Sequence, residues 1–356
     1  MGLKTFFGLK PPRHGGESGS NAKPKAPVET GRFITDTLLP PNFPIDVVYT
    51  WVDADDPRFQ DRLSSHLPAG GIDKNTMSKA RFQNHDELRY SLRSLLSFVP
   101  WVNHIYVVTC GQTPSWLVPN ERLSLVDHTD ILDEQYLPTF NSHVIGSALH
   151  RIAGLSEHYI YFNDDVLLLR PIEPGDAFTG NGLAYGFVGN LAISDTSPEP
   201  NETATNWGAK NARTLVARQW GRPLDRRFSH MFHPQRKTVA EECEAIFAAE
   251  YHSFRQNRFR AMDDLLCCSY LHPVAAYITG RGLFTRSSLW YVKIRDPSAR
   301  KLYEQILRSH DLNSTRSVVC LNDIPTESEL PGYGDHLHAF LSTYLPEPSC
   351  FESRRP

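Results

Sequence analysis

Asp164 and Asp165 lie among aromatic and β-branched residues in the run YIYFNDDVLLL, residues 159–169. Two charges in so apolar a setting cost several kcal/mol unless an opposite charge or a metal answers them. Oxygen donors of this kind suit Mg²⁺ or Mn²⁺, cations that in turn hold diphosphates. The alternative is a solvated turn in which both acids cap backbone amides. A second acidic group, Asp53, Asp55 and Asp56, follows the run IDVVYTWV (45–52). HMFHPQRK (230–237) supplies His230 and His233, then Arg236 and Lys237. Histidine titrates at about pH 6.5 and can take a hydroxyl proton at neutral pH, though a loop histidine can equally be surface decoration. The spacing is not that of an H-E-x-x-H zinc site. FRQNRFRAMDD (254–264) adds Arg255, Arg258 and Arg260 with Asp263 and Asp264. Guanidinium forks fit phosphate oxygens, whereas mixed charges at a helix start are commonly just solvated. CLND (320–323) sets Asn322 and Asp323 directly after the apolar SVVCL.

These groups need elements to hold them. The β-branched run 45–52 predicts a buried strand, and HIYVVTC (104–110), LSLVDH (123–128) and 159–163 predict three more. Leu88, Leu92, Leu95, Leu96 and Val99 recur at helical spacing before Pro100, and 141–152 is a second helix candidate. Strand, helix, strand, strand, helix, strand predicts an α/β fold: a Rossmann-like, mostly parallel sheet flanked by helices, with a helical insertion. Ligands bind such sheets beyond the carboxyl ends of the strands, which would bring the Asp53 and Asp164 groups together. Residues 57–78 and 194–211 read as loops, 238–254 and 263–271 as helices. The expected organisation is a loosely attached arm over 1–44 and one catalytic domain over 45–352. Within it, 45–175 form a nucleotide-binding-like half, 176–310 a more helical half, and 311–352 a strand and helix that complete the site.

The 356-residue chain is 40% hydrophobic and 22% charged with a formal net charge of −3, ordinary for a globular protein and giving no general pull toward nucleic acid. No apolar run nears the ~20 residues that span a bilayer, and the start MGLKTFF has too short an apolar patch for a secretory signal. A cytoplasmic location is expected; peripheral membrane contact would fall on Phe6 and Phe7. The six cysteines contain no C-x-x-C pair and fit reduced, mostly buried thiols.

The segments IDVVYTWVDADDP, RFQNHDELRYSLRSLLSFVPWVNHIYVVTCGQTPSWL, LPTFNSHVIGSALHRIAGLSEHYIYFNDDV and SVVCLNDIP…FLSTYLPEPSCFE occur in this order. Together they resemble the four regions of the Stealth family of sugar-phosphate transferases, over residues 45 to 352. That family includes bacterial capsule and exopolysaccharide phosphotransferases and the catalytic subunit of the transferase that tags lysosomal enzymes with N-acetylglucosamine phosphate. The resemblance implies transfer of hexose 1-phosphate from a nucleotide diphosphosugar to a sugar hydroxyl, with release of a nucleoside monophosphate.

Carried onto this sequence, it implies catalytic roles for His230, His233, Arg260 and Asp53 and substrate contacts from Arg81, Arg89, Asn163 and Asp264. A Mg²⁺ or Mn²⁺ ion would be held by Asp164, Asp165 and Asn322. Asp46 and Glu87 also fall in the matching regions; Asp46 is as readily a buried hydrogen-bond anchor, and Arg89 with Glu87 a structural ion network. Two departures stand out: Gly146 where related sequences carry an acid, and Phe232 where they carry proline. The first removes a polar contact and the second leaves the choice between His230 and His233 open. A phospho-histidine intermediate is a further route. Trp51, Trp101 and Trp116 read as packing residues rather than sugar platforms. A metal-dependent glycosyltransferase releasing a nucleoside diphosphate is the competing activity, and a non-catalytic polysaccharide-binding protein the competing class. The partners expected are a nucleotide-sugar donor and a polysaccharide or oligosaccharide acceptor, with no nucleic acid.

Overall fold

A computed structural model describes residues 39–67, 83–309 and 316–353. Its centre is a five-stranded sheet in the order β3 (Leu123–Asp127), β2 (Ile105–Thr109), β1 (Ile45–Thr50), β4 (His158–Asn163), β8 (His233–Arg236). The first four strands are parallel and β8 is antiparallel to β4. This is the expected α/β fold. β1 is buried along five of its six residues, as a run of Ile and Val in the middle of a two-faced sheet should be. Helix α1 (Pro57–Ser65) follows β1, and α2 (Glu87–Phe98) lays Leu88, Leu92 and Leu95 on one face of the sheet. The short helices α3 (His128–Ile131) and α4 (Ser142–Gly146) precede β4.

Two smaller sheets complete the molecule. One is β10 (Trp290–Lys293), β11 (Val318–Asn322), β5 (Val166–Leu168); the other is β7 (Arg226–Phe228), β6 (Ala184–Ala192), β9 (Gly282–Thr285). The helices among them are α5 (Ala204–Trp220), α6 (Lys237–Ile246), α7 (Ala248–Arg255), α8 (His272–Ile278), α9 (Ala299–Ser309) and α10 (Tyr333–Tyr344). Among the described residues no helix is long and apolar enough to cross a membrane.

Several expectations are corrected. The loop expected from 57 opens as helix α1, because Asp56 caps it through Arg58 N, Pro57 fits its first turn, and Phe59 and Leu63 bury one stripe. The loop expected over 194–211 gives way to α5 from Ala204, started by Thr203 accepting from Asn206 N. The helix expected over 238–254 breaks at Phe247, and that over 141–152 breaks after Gly146. The stretch 263–271 ends in one wide turn, Cys267–Leu271, which leads into α8. The arm over 1–44 lies almost wholly outside the described residues.

Candidate active site

The site grows from one register pair. Thr50 at the end of β1 stands opposite Asn163 at the end of β4, so the Asp53 loop and the Asp164–Asp165 turn open on the same rim. Antiparallel β8 pairs His233 with Tyr161, so the residues just before it project past that same rim. β11 runs antiparallel to β5 with Cys320 opposite Val166, and Leu321 N donates to Asp165 O at 2.8 Å. Asp164 and Asp165 thus form the turn that leads from β4 into β5, with His230 on one side and Cys320 and Asn322 on the other.

The Tyr161 hydroxyl donates to Asn163 Oδ1 at 2.6 Å, which leaves Asn163 Nδ2 to donate to His230 Nε2, also at 2.6 Å. That chain assigns the lone pair to Nε2 and the proton of neutral His230 to Nδ1, which lies 3.5 Å from Cys320 Sγ. His230 Nε2 is 3.6 Å from Asp165 Oδ1, and Cys320 Sγ is 3.6 Å from Asp165 Oδ2. Asp165 Oδ1 and Asn322 Oδ1 are both buried without a hydrogen-bond partner. Orphaned buried oxygens cost energy, and a cation between them would remove that cost. One donor atom each from Asp165, His230 and Cys320 lie within 4.8 Å of one another, a mixed set unlike the oxygen shell of Mg²⁺ or Mn²⁺; the unpartnered oxygens of Asp165 and Asn322 are the ones that suit such an ion.

Electrostatics agree. Burial, with the charge of Asp165 added, pushes the Asp164 carboxyl up to about 7. Burial and then Asp164 push Glu87 up to about 8. Among the described residues no arginine or lysine pairs with Asp164 or Glu87, and His85 offsets only part of the rise at Glu87. Glu87 Oε2 accepts the His85 amide at 2.7 Å; between them Asp86 adopts a left-handed conformation with φ of 63°. A non-glycine residue in that region is held there by its surroundings. Next to Asn322, Asp323 bridges His85 Nε2 at 3.2 Å and Arg295. Burial is the strongest pull on His85 and lowers it; the hydrogen bond to Asp323 and the charges of Glu87 and Asp323 together outweigh it and raise the ring's affinity for protons. Burial pushes the Cys320 thiol far up, and Asp165 adds to this, so it stays protonated.

Arg260 belongs to the loop that follows α7. Arg260 donates to Ser142 Oγ at 2.7 Å, Phe140 N donates to Arg258 O, and Phe259 stacks on Phe140. Phe140 also meets Phe59 edge-on, and these rings pack with Ala54, so the Arg260 loop leans on the Asp53 loop after β1. Asp53 itself accepts from Asp55 N and donates its amide to Gln112 Oε1, each at 3.0 Å.

Other expected residues are placed differently. Asp264 is 0% exposed and accepts from Asn141, Asn257, Ala261 N and His143, so it shapes the Arg260 loop instead of meeting substrate. His233 is 6% exposed inside β8, and burial pulls its ring down to about 3. It is a neutral core histidine. Arg89 is taken up by Glu352 at 2.5 Å and by Asp86, the structural ion network weighed above for that helix. Arg81 lies outside the described residues. Asp46 is fully buried and accepts from Asn103 Nδ2 and Ser156 N, the anchor reading. Phe232 stacks on Phe162 and meets Phe187 edge-on, so the residue in the proline position pins the His230 turn to the core. Gly146 has Cys268 Sγ 3.5 Å from where a Cβ would stand and accepts that thiol through its carbonyl. Cys320 and His85 were not legible beforehand. Cys320 reads as an ordinary apolar strand residue, and only its alternation with Asn322 on β11 hints that both face the acids.

Comparison with known proteins decides the family. The descriptions Stealth protein CR1, CR2 and CR3, conserved regions 1 to 3, match residues 43–67, 81–185 and 229–272. The capsular polysaccharide phosphotransferase LcbA of Aeromonas hydrophila is 36% identical over 309 residues, 86% of this chain and 85% of that protein. The chain is a Stealth protein. LcbA of Neisseria meningitidis is 37% identical over 85% of this Stealth protein and 84% of its own length. An exopolysaccharide phosphotransferase of Streptomyces coelicolor is 38% identical over 88% of this chain and 53% of its own. With such relatives this Stealth protein is a transferase. A solved active-site mutant of LgtC aligns over 86% of this chain and 98% of that one at 11% identity and a TM-score of 0.40, too distant to bear on the site.

Proposed function

We propose that this Stealth protein transfers hexose 1-phosphate from a nucleotide diphosphosugar to a sugar hydroxyl of a capsular or extracellular polysaccharide. The new bond joins the acceptor oxygen to the sugar-bearing phosphorus, the bridging P–O bond of the diphosphate breaks, and a nucleoside monophosphate leaves. The observation that carries this reading is the meeting of His230, Asn163 and Asp165 at one strand end, with two buried oxygens unpartnered beside them.

Asp164, Asp165 and Asn322 would hold Mg²⁺ or Mn²⁺, which when bound supplies charge neutralisation for the diphosphate and the departing phosphate. His230 takes the acceptor proton on Nε2 once the acceptor hydroxyl displaces the Asn163 Nδ2 donor from that lone pair; Nε2 of the imidazolium formed lies 3.6 Å from Asp165 Oδ1, which stabilises it. Buried and neutral His233 leaves that role to His230 alone. Arg260 would grip non-bridging oxygens as charge builds there, steered by Ser142 and by the Asp264 scaffold beneath it. Phosphoryl transfer asks mainly for such positioning and charge balance, which suits a site made of fixed strand ends.

The test is incubation with a panel of nucleotide sugars, Mg²⁺ or Mn²⁺ and capsule oligosaccharides. A phosphodiester in the phosphorus-31 NMR spectrum and free nucleoside monophosphate are expected. Release of nucleoside diphosphate without a diester would replace this reading with glycosyl transfer. An acid-labile phosphate on His230 would replace direct attack with a two-step route.

A further inference from the structure

Most strongly buried or networked arginines of this protein have a carboxylate. Arg93 has Glu352, Arg255 has Glu244, Arg236 has Glu157 and Arg295 has Asp323. Arg227 has none. Among the described residues it makes no salt bridge, and its one hydrogen bond runs from Nη1 to Asn206 Oδ1 at 2.9 Å. Burial draws its affinity for protons down, and the single charge-bearing neighbour that offsets this is the Tyr291 phenol. A half-buried guanidinium without an anion carries a desolvation cost that an anionic ligand would repay.

Its place in the fold is beside the acids. Arg227 sits on β7 three residues before His230, so the two Cα atoms are at most about 11 Å apart. Phe228 points into the core and packs edge-on against Tyr270 and Phe284, which sends the neighbouring Arg227 side chain to the opposite face of β7. On β10, Tyr291 stands in register with Cys320, the residue that touches both Asp165 and His230. Tyr291 is 45% exposed, and it is influenced by Asp165, Cys320 and Arg227 together. A line therefore runs from the acid turn through Cys320 and Tyr291 to an unanswered cation held in place by Asn206.

We infer that Arg227, held by Asn206 and bordered by Tyr291, binds the diphosphate of the donor beside the metal-binding turn. This rests on the proposed use of a nucleotide diphosphosugar. Arg227 acts in ground-state binding. It contacts substrate but moves no proton. A phosphate ester already present in the acceptor polymer has the same chemistry, and the experiment separates the two sources.

Wild type, R227Q and R227K are compared in the full chain with Mg²⁺. Binding of inorganic pyrophosphate by titration calorimetry is read first, because it needs neither the correct base nor turnover. R227Q is expected to weaken it about ten- to hundred-fold, the worth of a hydrogen bond to a charged group, and R227K to recover part of the loss. Steady-state donor KM should rise by a similar factor in R227Q, with kcat within about threefold and acceptor KM unchanged. Asn206→Ala should show the same pattern more weakly. Equal pyrophosphate affinity in R227Q and wild type overturns the inference, as does a rise confined to acceptor KM. Should wild type release nucleoside diphosphate, the functional proposal fails alone, and a donor KM that still depends on Arg227 keeps this assignment.

Discussion

Two clusters of carboxylates in this protein use the same chemistry to opposite ends. At Glu352, a side chain 1% exposed, both oxygens are answered by Arg93 and Arg89, and a backbone amide at Ser349 adds a fourth donor. Against the opposing pull of burial, these donors hold its carboxyl down at about 2. At the β4 end, among the described residues, neither Asp164 nor Glu87 has an arginine or lysine partner, and burial drives them up to about 7 and about 8. The first cluster ties the C-terminal segment to α2 and is complete. The second lacks such partners among the described residues, which is the condition the proposed cation would relieve.

The comparison can be broken at its sharpest point. Asp165→Asn keeps the size of the side chain and removes the charge that faces both His230 and the orphaned oxygen. Transfer should fall by about a thousandfold or more, while the thermal midpoint of the metal-free protein holds or rises. Equal activity in the variant would show that the acids are only structural. His230→Gln should lower kcat by about 10²–10⁴-fold with little change in stability. His233→Gln should instead lower stability and leave kcat per folded molecule nearly intact, since that ring packs between β4 and the core. If His233→Gln were the one to lose kcat, the assignment of the base would reverse.

At the paired cluster, Arg93→Ala leaves Glu352 buried with a weakened set of partners. A loss of about 3–5 kcal/mol in urea unfolding is expected, without a change in donor KM for the folded fraction. A loss under about 1 kcal/mol would mean that Arg89 alone satisfies the acid.

The smallest effect is a contrast of signs with pH. Glu352 is held below its ordinary value, so its contribution to stability is present above about pH 4.5 and is lost as pH falls toward about 2. Asp164 is held above its ordinary value of 3.8, so keeping it charged costs stability; the cost grows as pH rises from 3.8 to about 7 and is constant beyond. Without metal, Asp164→Asn should therefore melt a few degrees above wild type at pH 8 and merge with it near pH 4. Saturating Mg²⁺ or Mn²⁺ should reverse the order at pH 8. A variant that is less stable than wild type at pH 8 without metal would contradict the unpaired state of this acid.

Much of this arrangement was legible in the residues. The runs 45–52, 104–110, 123–128 and 159–163 hold all or nearly all of β1 to β4, because short stretches rich in β-branched and aromatic residues leave few other options. From parallel topology alone, the Asp53 and Asp164 groups were expected at one rim, and the Thr50–Asn163 pairing puts them there. What the residues did not disclose depends on tertiary partners. Whether His230 or His233 faces the acids turns on which one pairs within β8, and period-two alternation over so short a strand does not say. Asp264 and Arg89 carry the right charge for substrate, but their neighbours Asn141, His143 and Glu352 lie more than a hundred residues away in the chain. Helix α1 was missed because its apolar stripe is just Phe59 and Leu63, too sparse to register against the polar residues around it.

The turn at Asp164 and Asp165 joins strands of two different sheets, β4 in the central one and β5 in the layer with β11 and β10. Whatever clasps both acids and Asn322 fastens those layers at their seam. Occupancy should then be felt as stiffness far outside the cleft, as slower amide exchange along β5 and β11. Catalytic loading and mechanical cohesion become one property of the same two residues.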